Sequence, residues 1–121
     1  MRHEMKLNPA PFGAIASGEK VYELRLLDEK RRKVKVGDEI LFSNTELPGA
    51  TLLCRVLDVL PYPDFATLYA SLPLTACGYT AEEAKTASPD DMTLYYPKEM
   101  QAKYGVVAFH ISLVAINGYQ K

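Results

Sequence analysis

The chain has 121 residues, of which 48% are hydrophobic and 24% charged, at a net charge of −1. That is enough apolar chain for one self-sufficient core, and it excludes disordered, collagen-like and disulfide-scaffold classes. No apolar run approaches the roughly 20 residues a bilayer span needs. No signal peptide is evident, and Cys54 and Cys77 lack metal spacing, so a cytoplasmic protein with two reduced core thiols is expected.

In chain order, Met5-Lys6-Leu7 opens as a short strand. Asn8-Pro9 reads as an N-cap followed by proline at the first helical position. Phe12, Ile15 and Ala16 then give the stripe of a short helix that stops at Gly18. Residues 20–27 alternate as a strand, with Tyr22, Leu24 and Leu26 on one face and Val21, Glu23, Arg25 and Leu27 on the other. Asp28 to Val36 reads as a charged loop. Gly37-Asp38 turns the chain into a strand over Glu39–Ser43, and Pro48-Gly49 turns it again. Residues 51–60 form a long β candidate stopped by Pro61 and Pro63.

Asp64 caps a helix with apolar positions Phe65, Leu68, Tyr69 and Leu72. Thr80 and Glu83 form a capping box before a second short helix, and Pro97 to Gly105 frames a third. Val106 to Ile116 is the strongest strand, with Val107, Phe109, Ile111 and Leu113 on one face. Strands come in runs, so a doubly wound parallel sheet is disfavoured. The expected fold is one α+β domain over 1–121: a small, mostly antiparallel barrel with flanking helices and a helical insertion. Tyr22, Leu24, Leu26, Phe109, Ile111 and Leu113 are expected in a single core.

Charge is unevenly spread. Residues 1–35 carry nine Lys/Arg against five Asp/Glu, and residues 36–121 carry five against ten. A polyanion should therefore meet the N-terminal third. Within it, Lys30-Arg31-Arg32-Lys33-Val34-Lys35 could track a phosphate backbone, but flanking acids leave five positive and four negative charges over 28–39. A solvated loop fits that balance as well. Tyr95, Tyr96 and Tyr104 could stack bases or simply pack; Tyr95-Tyr96-Pro97 joins two elements and so leaves one ring free. His3 and His110 form no metal set.

The most informative segment is Gly18-Glu19-Lys20-Val21-Tyr22-Glu23-Leu24-Arg25. A helix stops at glycine, Lys20 sits at the junction, and Glu23 and Arg25 project from one strand face. A forked Arg donor beside a Glu acceptor suits a polar, planar ligand. A surface ion pair uses the same residues.

The spacing G-x-K-x-x-E-x-R, with Pro11-Phe12, Val36-Gly37-Asp38-Glu39-Ile40 and Tyr62-Pro63-Asp64-Phe65, resembles the ASCH family from Met5 to about Val114. The resemblance implies a PUA-like β-barrel with a polar cleft and RNA binding, with Lys20, Glu23 and Arg25 lining the cleft. Arg31 and Arg32 would assist at its rim, and Tyr95 would stack. RNA or a nucleotide-like ligand is the expected partner, with no cofactor, no membrane and a monomer or weak dimer.

Some relatives in the superfamily are amidohydrolases that deacetylate N4-acetylcytidine. They keep the lysine, matched by Lys20, but place a threonine hydroxyl where this chain has Glu23. Their further glutamate has no counterpart near Leu74–Gly78. Catalysis, if present, would rest on Lys20, and a Glu23 carboxylate beside it favours the ammonium form over a nucleophilic amine. A protein-interaction domain with a vestigial cleft is the third reading.

Overall fold

The computed structural model describes residues 1–120. Five strands form one curled sheet: β1 (Arg2–Leu7), β2 (Tyr22–Leu26), β3 (Glu39–Asn44), β4 (Thr51–Tyr62) and β5 (Val106–Asn117), in the order β1-β3-β4-β5-β2. β1 runs parallel to β3, and the other three pairings are antiparallel. β4 and β5, twelve residues each, form the spine. Register shifts at Leu53/Cys54 and Val56/Asp58 bend that spine, and the sheet curls into a half-barrel.

The helices follow their local signals. α1 (Pro9–Ala16) starts on a proline and buries Phe12, Ile15 and Ala16. Asn8 does not cap it through its side chain; its Oδ1 accepts from Thr45 Oγ1 instead. Asp64 caps α3 (Phe65–Ser71) by accepting the Thr67 N–H at 2.8 Å. The Thr80/Glu83 capping box closes in both directions on α4 (Ala81–Thr86). α5 (Lys98–Tyr104) ends at Gly105, whose φ of +74° suits glycine.

Two local expectations are corrected. Asp28–Val36 is not all loop: Asp28 accepts the Arg31 N–H and caps a helical turn, α2 (Glu29–Arg32). Pro61 does not stop β4, which runs on to Tyr62. β3 pairs with β4 only as far as Arg55, so at Pro61 β4 has one unpaired edge, a position where a strand tolerates proline.

The expected single core is in fact two. Phe109 and Ile111 join Met5, Phe12, Ile40, Phe42, Leu52 and Val56 inside the half-barrel, with Leu113 packed at its margin. Leu24 and Leu26 belong to a second cluster with Phe65, Leu68, Tyr69, Val106 and Ala108, under the helical insertion, and Tyr22 packs against it. Both faces of β2 are covered. Its charged face looks into the barrel: Glu23 pairs with Phe109 and Arg25 with Val107. Among the described residues no helix is long and apolar enough to cross a membrane.

Candidate nucleic-acid interface

Lys20 follows the α1 stop. Its backbone N–H bonds the Ala14 carbonyl, and the next N–H, of Val21, bonds Ala76 O at 2.8 Å in the insertion. The lysine is thereby clamped between α1 and the insertion. Its Nζ lies 2.8 Å from Glu23 Oε1, while Arg25 Nε donates to Glu23 Oε2 at 2.7 Å. Arg25 Nη2 also donates to the Lys6 carbonyl at 2.6 Å.

This ion triad is buried, not solvent-facing. The side chains of Lys20, Glu23 and Arg25 are 9%, 3% and 12% exposed. Burial alone would raise the Glu23 pKa, but the charges and hydrogen bonds of Lys20 and Arg25 outweigh it and hold the carboxyl below its ordinary value. Glu23 is thus an ionised carboxylate with a cation on each oxygen. Its charge also reaches Cys54, whose thiol is pushed up to about 12, chiefly by burial.

The expected roles divide accordingly. Glu23 carries a cation on each oxygen and its side chain is 3% exposed. Lys20 lines a cleft of about 760 Å³ between α1 and the insertion, and Tyr95 stands at that cleft with its residue 68% exposed. Arg25 and Arg31 open on a different groove, shared with β1 and β3. Arg32 lines neither; it is exposed and donates to the Tyr104 carbonyl at 2.8 Å. Tyr96 and Tyr104 pack against the second core cluster.

Other cleft residues went unsingled by sequence reasoning or were only brushed by it. Tyr69 and Tyr79 share a hydroxyl–hydroxyl bond, and Tyr79 Oη donates to Asp91 Oδ2 at 3.1 Å. Burial first, then these bonds and the Asp91 charge, raises the Tyr79 pKa, so the wall offers neutral phenols. A Ser88-to-Asp91 capping box was the legible signal for Asp91. Cys77, also in the wall, is pushed up to about 11 by burial and is a poor nucleophile. Gly78 is needed beside Lys20: its φ is +107°, and a Cβ there would lie 3.1 Å from Lys20 Cδ.

A family model for the ASCH domain matches residues 5–115. The chain belongs to the ASCH family. The hypothetical protein PH0355 shares 29% identity with this ASCH domain at a TM-score of 0.78, covering 94% of this chain and 100% of that one. Protein PF0455 from Pyrococcus furiosus is 32% identical at a TM-score of 0.69, covering 94% and 98%. ASCH from Zymomonas mobilis, at 15% identity and a TM-score of 0.61, covers 97% of this chain and 73% of that one and matches in fold. A search of curated proteins finds no match. The fold is α+β as expected, with the barrel reduced to a half-barrel, and the G-x-K-x-x-E-x-R segment of this chain builds the buried triad.

Proposed function

We propose that this ASCH domain binds single-stranded RNA by holding a base in the cleft between α1 and the insertion. The observation that carries the reading is Lys20: a cation fixed by a buried carboxylate in the wall of a cleft that also holds an exposed aromatic ring. Lys20 would donate to a base carbonyl. Tyr95 would stack, and the phenol oxygens of Tyr69 and Tyr79, whose protons are already given to Tyr79 and Asp91, would act toward a base amino group as acceptors only. A ring stacked on an unpaired base is worth about 1–3 kcal/mol.

Hydrolysis of a modified nucleoside is less well supported. Position 23 offers a carboxylate with both oxygens engaged, and the Tyr69, Tyr79 and Thr80 hydroxyls are engaged in hydrogen bonds. An ammonium paired with Glu23 is no nucleophile.

Fluorescence anisotropy with a labelled single-stranded RNA decamer tests the reading. Tyr95→Ala should weaken binding by the stacking contribution and Tyr95→Phe should retain it. Equal affinity for wild type and Tyr95→Ala would refute it, as would consumption of N4-acetylcytidine by the wild type that is lost in Lys20→Met.

A further inference from the structure

The cavity on the far side of Glu23 differs in chemistry from the cleft. The cleft wall has one cation, Lys20, and two carboxylates, Glu19 and Glu83. The groove between β1, β2, β3 and α2, about 410 Å³, gathers Lys6, Arg25, Lys30 and Arg31 with the Ser43 hydroxyl and one carboxylate, Glu4.

Among the described residues, two of these cations, Arg25 and Arg31, are each paired with a carboxylate, and two, Lys6 and Lys30, are not. Arg25 is fixed through Nε and Nη2, and its Nη1 has no acceptor among the described residues. Lys6 and Lys30 form no ion pair among the described residues. Arg31 gives Nη1 to Asp28 Oδ2 at 3.0 Å, while its Nε is buried with no hydrogen-bond partner among the described residues. That N–H is closed to solvent, so it reports on the charge in the groove without touching a ligand; the exposed Lys6 and Lys30 ammoniums and the Arg25 guanidinium are the groups that a phosphate oxygen matches in charge and geometry.

We propose that this groove is a phosphate site that holds the backbone of the RNA whose base occupies the cleft. The proposal rests on the cleft reading for its ligand but uses separate residues. Glu23 stands between the two, with one oxygen on the cleft cation and one on the groove cation. The neutral part of a nucleotide would meet the weakly acidic cleft, and its phosphate the basic groove.

The first test is side-chain ¹⁵N NMR of the whole chain titrated with inorganic phosphate. The Arg31 Nε–Hε signal and the Ser43 amide should move together and saturate. In the double variant Lys6→Gln/Lys30→Gln, both of whose sites are exposed, the shift should shrink. Absence of any saturable shift at Arg31, or an identical titration in the double variant, would overturn the site.

The second test compares a single-stranded RNA decamer with a peptide nucleic acid of the same bases. The double variant should lower the salt slope of RNA binding by about 0.7–1.4, one or two phosphate contacts, and leave the peptide nucleic acid unaffected. RNA affinity indifferent to the double variant would overturn the backbone assignment even if inorganic phosphate binds. Binding of RNA that depends on Lys6 and Lys30 but not on Tyr95 would refute the cleft reading and leave the groove standing.

Discussion

Glu23→Gln isolates the buried triad. The substitution keeps the side chain's size and one acceptor, but turns one of two short contacts, 2.7 Å to Arg25 or 2.8 Å to Lys20, into a donor facing a donor. Two cations then share a site in which they are only 9% and 12% exposed. Removing one partner from a buried ion pair costs about 3–5 kcal/mol, most of it the desolvation of the charges left behind. For a domain of this size that is a fall in Tm of roughly 10–20 °C. Urea denaturation and calorimetry at pH 7 measure it. Glu82→Gln, at an exposed pair with Lys85, serves as a control with no measurable change. Lys20→Met/Glu23→Leu/Arg25→Met should recover most of the loss, because the apolar replacement strands no charge.

Acid titration adds a signed check. The folded pKa of Glu23 lies below its ordinary value near 4.5. The unfolded chain therefore binds more protons in that window, and the stabilisation is complete above about 4.5 and lost as pH falls through the folded value. Glu23→Gln should flatten this acid limb. It should not abolish it, because Asp38 contributes with the same sign. A hydrogen bond from His3, the Lys35 N–H and the N-terminal amine hold Asp38 down to about 2 from 3.8. A Glu23→Gln loss below about 1 kcal/mol, or an unchanged acid limb, would mean that water screens the triad and that the account of Lys20 and Arg25 as fixed cations is wrong.

Two further outcomes follow from side-chain environments. Burial raises the thiols of Cys54 and Cys77 to about 12 and 11, so a disulfide reagent at pH 8 should label neither until the chain is unfolded; rapid native labelling would contradict their placement. Gly78→Ala puts a Cβ at positive φ and 3.1 Å from the Lys20 stem. It should cost about 1–3 kcal/mol by urea denaturation and weaken RNA binding, and a variant as stable and as tight as wild type would refute the close approach.

Local chemistry alone determined much of this molecule. Proline and glycine positions, the Asp64 cap and the Thr80/Glu83 box set element ends without reference to distant chain, because each satisfies its own backbone groups within a few residues. The G-x-K-x-x-E-x-R spacing likewise singled out Lys20, Glu23 and Arg25 as one constellation. Alternation along β2 correctly put Tyr22, Leu24 and Leu26 on one face. It could not say which face met which core, since that depends on what covers the strand from elsewhere. The insertion covers the apolar face, while β5 carries the charged face into the barrel. An ion pair that reads as surface decoration in sequence is thereby buried. For the same reason Lys20 and Arg25 open on two different cavities: β1 and β3 wall off one, α1 and the insertion the other, and no spacing within residues 18–25 encodes either wall.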